Sequence, residues 1–191
     1  MLKIIGLSIF VCFIALSQSL ISIEKTEPQT VSYVDLNKYA GKWYEISRLR
    51  PAWKMQCALN VTVTYTLESP ATLHVATQCQ TNNFFQKIDK AEGTVEVVDK
   101  KTQAKLKVTY PFKHPDWLAE GDYWIIQLAE DYSYAVMSNP SGTYVQILSR
   151  TPTLDPDLYQ IILDRLVLQL PNLNVLNMLK TEQTPDGSKG S

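Results

Sequence analysis

Few residues in this chain are suited to chemistry. It has two histidines, His74 and His114, and three cysteines, Cys12, Cys57 and Cys79. No Cys or His spacing resembles a zinc site, where ligands come in closely spaced pairs. The sequence contains no G-x-S-x-G elbow, no P-loop and no G-x-G-x-x-G turn. His74 falls on the polar register of "TLHVATQC", and His114 falls in the stretch "PFKHPDW". Both read as solvent-facing side chains, with haem or pigment ligation as the alternative use of an imidazole. No metal site and no cofactor is expected.

The cysteines support two kinds of chemistry. A nucleophilic thiolate needs a basic neighbour, and Lys54 lies close before Cys57. Against that, Cys57 opens one alternating run and Cys79 ends the next. A hairpin turning at Ser69-Pro70 brings both to the same end. A disulfide there stabilises by about 3 kcal/mol on the chain-entropy estimate. The hairpin favours the disulfide, and a lipid-modifying enzyme with a cavity cysteine is the alternative.

Cys12 belongs to a different part of the chain. Lys3 precedes the apolar run "IIGLSIFVCFIAL". The run has the length of a signal h-region and falls short of the ~20 residues that span a bilayer. Ser17, Ser19 or Ser22 offers the small residue at the cleavage site. Residues 1–22 are therefore expected to be a secretory signal, with a buried N-terminal helix as the alternative. Branched Val11 before Cys12, and the position of Cys12 within the run, argue against a lipobox. Loss of the signal leaves an even cysteine pair in an exported chain, which fits an oxidising compartment. The expected location is secreted or periplasmic.

With 191 residues and a net charge of −1, the chain suits one domain with room for a core or cavity. That charge provides no basic face for nucleic acid. A monomer or weak dimer is expected.

Elements that could position such residues follow from periodicity. From Gly41 on, apolar and polar residues alternate. "LNVTVTYTL" puts Leu59, Val61, Val63, Tyr65 and Leu67 on one face, and "TLHVATQC", "AEGTVEVV" and "AKLKVTY" alternate likewise. "DYWIIQLA", "YSYAVMS" and "TYVQILSR" follow, the first two apolar on both faces. About eight short strands with turn-like joins predict an all-β antiparallel meander, closed as a barrel or folded as a sandwich. In "DPDLYQIILDRLVLQL" the period changes. Leu158, Ile161, Ile162, Arg165, Leu166 and Leu168 recur at three and four, predicting a helix capped by Asp155, started by Pro156 and stopped by Pro171. Its stripe would pack outside the barrel. Residues 35–180 form the predicted domain, and 181–191 the predicted disordered tail. "NVT" at 60–62 is a glycosylation acceptor in a eukaryotic secretory pathway, or simply polar surface.

Three joins are rich in large apolar residues: Trp53 and Met55, then Phe84 and Phe85, then Phe112, Trp117 and Leu118. Alternate joins of a meander share one end, so these residues would form one apolar rim. Such a rim suits the entrance for an apolar ligand or a peripheral membrane contact. Folding inward as a plug is the alternative.

Three motifs carry a family resemblance. "GKWYEISR" at 41–48 resembles the G-x-W motif that opens lipocalins. "EDY" at 130–132 resembles their T-D-Y motif, with Glu130 in place of threonine. "ILSRTP" at 147–152 resembles the motif ending their eighth strand. The order and spacing agree over roughly residues 35–180, and the wording is closest to bacterial lipocalins and apolipoprotein D. The resemblance implies an eight-stranded up-and-down calyx with a C-terminal helix outside. It implies structural roles for Gly41, Trp43, Asp131, Tyr132 and Arg150, with Arg150 stacked on the Trp43 indole at the closed end. It also implies a non-enzymatic carrier of a small lipophile such as a fatty acid or lysophospholipid. With alternation, it implies that Val61, Val63, Tyr65, Trp124, Ile126, Ala135, Met137, Tyr144 and Gln146 face the cavity. Gln146 stands where apolipoprotein D has tryptophan, so the ligand itself is not carried over.

Overall fold

The computed structural model describes residues 27–49, 57–81, 87–111 and 120–184. Eight strands form a closed barrel: β1 (Gly41–Leu49), β2 (Cys57–Ser69), β3 (Thr72–Thr81), β4 (Ile88–Val97), β5 (Lys105–Thr109), β6 (Gly121–Leu128), β7 (Tyr134–Ser138) and β8 (Val145–Ser149). Sequence neighbours pair antiparallel, and β1 pairs with both β2 and β8 to close the ring. The alternating sequence is the cause. Leu73, Val75, Val95, Val97, Leu106 and Val108 are buried inside, while Glu92, Thr94, Glu96 and Lys107 face water. Gly93 is required by its surroundings: a Cβ there would lie 2.5 Å from Thr109 O and 2.7 Å from a Tyr110 ring carbon.

The barrel wall separates two apolar cores. The inner core includes Trp43, Val63, Tyr65, Ile125, Ala135, Met137 and Leu148. The outer core joins Trp124, Ile126, Tyr134, Val136, Val145 and Ile147 to the helix α2 (Pro156–Gln169) through Ile162 and Leu166. Asp155 caps α2 by accepting from Asp157 N and Leu158 N, both at 3.0 Å, and Pro156 sits in its first turn. Its buried stripe is narrower than the spacing predicts: Leu168 is 80 % and Ile161 45 % exposed. Polar contacts fix the helix as well. Arg165 Nη1 donates to Tyr134 OH at 3.0 Å, and Gln127 Nε2 to Gln169 Oε1 at 2.9 Å.

Trp124 and Ile126, expected in the cavity, face α2 instead. Ile125 is the inward residue, opposite Met137, and the β6–β7 register shifts between Ile125 and Gln127. Strands apolar on both faces give alternation no preferred side, and the irregularity puts Ile126 and Gln127 on the outside together.

The chain after α2 completes the wall. The β1–β2 pairing runs only from Gly41↔Tyr65 to Tyr44↔Thr62. Beyond it, β9 (Met178–Lys180) takes the β1 edge at Ser47–Leu49. Residues 181–184 then enter the gap. Thr181 N donates to Ile46 O at 2.9 Å, and Asn60 N to Glu182 O at 2.8 Å. The Gln183 side-chain amide donates to Glu45 O of β1 and Val61 O of β2, both at 2.8 Å. Thr184 N donates to Asn60 Oδ1 at 2.8 Å, and Asn60 Nδ2 to Gln80 Oε1 at 2.8 Å, so both ends of that amide are engaged. Residues 181–184 are thus part of the wall and not of a disordered tail. Their ties are polar and long-range, so no apolar pattern announces them. The proposed signal at 1–22 and residues 185–191 lie outside the described residues.

Candidate functional site

One end of the barrel is sealed. The single-turn helix α1 (Leu36–Tyr39) crosses it, with Tyr39 and Trp43 fully buried. Trp43 Nε1 donates to Tyr39 O at 2.9 Å, and the Arg150 guanidinium lies 3.7 Å from the centroid of the Trp43 ring. The same guanidinium donates to the carbonyls of Lys38, Tyr39, Ala40 and Lys42 at 2.6–3.1 Å. Gly41 has φ +102°, and a Cβ there would lie 3.2 Å from Arg150 Nη1. Tyr132, at φ +60°, accepts from Asp35 N at 2.9 Å through its hydroxyl, and Asp131 Oδ1 accepts from Ser133 N at 3.0 Å. Above this plug, Tyr39 OH donates to Met137 Sδ at 3.4 Å.

Toward the other end lies a small cavity of about 30 Å³, lined by Arg48, Val61, Val63, Tyr65, Val75, Thr77, Val108, Tyr110, Tyr123, Tyr144 and Gln146. Of the expected ligand set, Val61, Val63, Tyr65, Tyr144 and Gln146 line it. Ala135 and Met137 belong to the inner core without lining it, and Trp124 and Ile126 lie on the outside. Tyr123 and Tyr144 meet edge to face at 5.2 Å. Burial pushes the Tyr65, Tyr123 and Tyr144 phenols well above their ordinary range. It raises Tyr110 to about 12 against an opposing hydrogen bond from Thr77. The cavity therefore presents neutral hydroxyls.

A buried ion pair stands in one wall. Glu45 is fully buried and Arg48 is 5 % exposed, with Arg48 Nε 3.0 Å from Glu45 Oε1. Gln146 Nε2 donates to Glu45 Oε2 at 2.6 Å, and Thr181 Oγ1 to Glu45 Oε1 at 2.5 Å. Arg48 Nη2 donates to Cys57 O at 2.6 Å. Residue typing alone misses this pair, because charged residues in a strand read as outward. The period offered a clue for Glu45, two positions after inward Trp43. The irregularity between Glu45 and Ser47 is what turns Arg48 inward.

Cys57 and Cys79 form a disulfide. The thiol required by the enzymatic alternative is therefore consumed. His74 lies 3.7 Å from Glu92 across the outer faces of β3 and β4. His114 and the expected rim residues Trp53, Met55, Phe84, Phe85, Phe112, Trp117 and Leu118 lie outside the described residues. Among the described residues, no cluster of His, Cys, Asp and Glu could hold a metal. No helix there is long and apolar enough to cross a membrane.

Comparison with known proteins agrees with this geometry. A family described as Lipocalin-like domain matches residues 34–169. Temperature-induced lipocalin-1 of Arabidopsis thaliana is 31 % identical over 169 residues, covering 86 % of this chain and 89 % of that one. Outer membrane lipoprotein Blc of Vibrio cholerae is 32 % identical over 150 residues, covering 77 % and 81 %. Among solved structures, insecticyanin from the tobacco hornworm Manduca sexta superposes with a TM-score of 0.61 at 18 % identity, covering 83 % and 85 %. That likeness concerns the fold. By its sequence match, its barrel and its plugged end, this chain belongs to the lipocalin family.

Proposed function

We propose that this lipocalin is a non-enzymatic, extracytoplasmic carrier or store of a small lipophilic ligand with one hydrocarbon chain, such as a fatty acid derivative or lysophospholipid. The observation that carries this reading is the asymmetric barrel interior. It is sealed at the Trp43 end and carries a small cavity of about 30 Å³ above, where Val61, Val63, Val75 and Val108 face neutral tyrosines and a polar wall. Each methylene buried there contributes about 0.8 kcal/mol. The space is small, so a chain enters the upper barrel by moving these side chains apart, and its bulkier end stays at the mouth. Val61, Val63, Tyr65, Tyr144 and Gln146 are the proposed contacts, with Ala135 and Met137 beneath them. Location outside the cytoplasm is supported by the disulfide, which needs an oxidising compartment, and by one relative's name, outer membrane lipoprotein.

The test is native mass spectrometry of the protein purified from its own compartment, followed by denaturing extraction. A co-purifying single-chain lipid is the expected result. An empty protein that also takes up neither a fluorescent lysophospholipid nor a fluorescent fatty alcohol would overturn the reading.

A further inference from the structure

A cavity of about 30 Å³ has room for about two waters, whereas pockets that enclose a lipid-sized ligand start near ~300 Å³. Part of the barrel has to yield on loading, and the seam between β1 and β2 is built to do so. Both strands run on past their last pair, Tyr44↔Thr62, yet from there their backbone groups turn to residues 181–184. Glu45 O and Val61 O accept from the Gln183 amide, Ile46 O accepts from Thr181 N, and Asn60 N donates to Glu182 O. The segment stands where a β1–β2 ladder would continue. Its other ties are polar too: Thr181 Oγ1 donates to Glu45 Oε1, and Thr184 N and Oγ1 donate to Asn60 Oδ1. None of the four residues has an apolar side chain, and Glu182 and Thr184 are exposed. A segment held only by such bonds opens at low cost. The sealed end is different, with Tyr39 and Trp43 fully buried and Arg150 donating to four carbonyls.

The segment also lies against the cavity lining. Val61 carries one of its accepting carbonyls, and Gln146 donates to the same carboxylate as Thr181. Arg48 reaches across the seam to Cys57 O at 2.6 Å. We infer that residues 181–184 are a displaceable strap that sets the girth of the upper barrel, and that a bound chain and the seated strap exclude each other. This rests on the carrier reading and adds a control on it. Seated, the strap holds β1 to β2 and keeps Arg48 and Val61 close. Released, it lets the strands part and the cavity widen. Only released molecules accept a chain, so the apparent affinity is reduced by the fraction they make up. By linkage, a bound lipid favours release of the strap.

The experiment follows uptake of a fluorescent lysophospholipid by stopped flow. It compares the disulfide-intact protein, a truncation after Lys180, and Gln183→Ala. Truncation is expected to raise the association rate constant about tenfold and to keep the dissociation rate constant within about twofold, because the strap is unseated in the bound state of both. Gln183→Ala loses two bonds and is expected to raise association about threefold. In the wild type, lipid is expected to speed amide exchange in peptides covering 181–184, the reverse of the protection a ligand ordinarily confers. An unchanged association rate, a dissociation rate raised in step with association, or protection of 181–184 by lipid overturns the inference and leaves the carrier intact. If the truncated chain does not fold, Gln183→Ala and wild-type exchange decide. Absence of binding by every form overturns the carrier reading and the inference with it.

Discussion

Arg150 is held between an indole face and the carbonyls of Lys38, Tyr39, Ala40 and Lys42. A planar guanidinium can stack and donate in several directions at once, whereas an ammonium presents a point charge without a face. Arg150→Lys is therefore expected to lower stability by about 2 kcal/mol, summing a lost stack and part of the carbonyl fork. Gly41→Ala meets the same guanidinium from the other side, at a backbone φ that favours glycine, and is expected to cost about 1–3 kcal/mol. Urea unfolding monitored by tryptophan fluorescence checks both. A midpoint unchanged in either variant would mean that the plug is held by apolar packing alone. The pairing of Trp43 with Arg150 was legible from motif order, although the residues are far apart in sequence. The Glu45–Arg48 pair was not, because these two residues of β1 share the inward face only through the irregularity between Glu45 and Ser47.

Among the elements, the segment from Met178 to Thr184 differs most from its sequence. It reads as the end of a domain running into a polar tail, yet it fills the seam where β1 and β2 part. The Gln183 amide bridges the two strands, adding two side-chain bonds to the backbone ones that hold the seam. Truncation after Lys180 removes these bonds, the Thr181 bond to Glu45 included. With each bond contributing about 1 kcal/mol net, the variant is expected to fold with reduced stability. Amide exchange should rise in peptides covering 44–49 and 57–63 and stay unchanged in β4 and β5. Uniform acceleration along the whole chain would contradict a local seam and indicate global loosening. The helix is the simpler element. Its cap and start were readable from Asp155 and Pro156, but the breadth of its buried stripe was set by the curved wall beneath it.

For the whole molecule, the barrel encloses several phenols in a space that favours their neutral form. Burial pushes the folded Tyr110 phenol up to about 12 and holds Tyr39, Tyr65 and Tyr123 well above their ordinary range. In the unfolded chain each titrates near the usual value of about 10. Between these values the unfolded chain has released protons that the folded chain retains, so stability falls as pH rises. The contribution is complete below the ordinary phenol pKa and is lost as pH climbs through the folded values. An alkaline titration followed at the tyrosinate absorbance should separate into exposed phenols near pH ~10 and a later, cooperative release that coincides with loss of near-ultraviolet circular dichroism. A single smooth transition for all ten tyrosines would show that the interior admits water freely.

Period-two alternation in "LNVTVTYTL" and "AKLKVTY" specifies strands and their inward face, because a half-buried strand must be apolar on one side only. The G-x-W stretch, "EDY" and "ILSRTP" identify the family, and the two cysteines at one end of a hairpin anticipate their bond. The sequence alone determined those features. Tertiary structure alone decided which face of β6 looks inward, because both faces are apolar and a register shift settles the matter. It also decided that Glu45 and Arg48 meet beside the cavity, and that residues 181–184 close the wall. Each depends on where distant backbone lies: an irregularity rotates side chains by half a period, and a polar bond forms only when a chain many residues away arrives beside it.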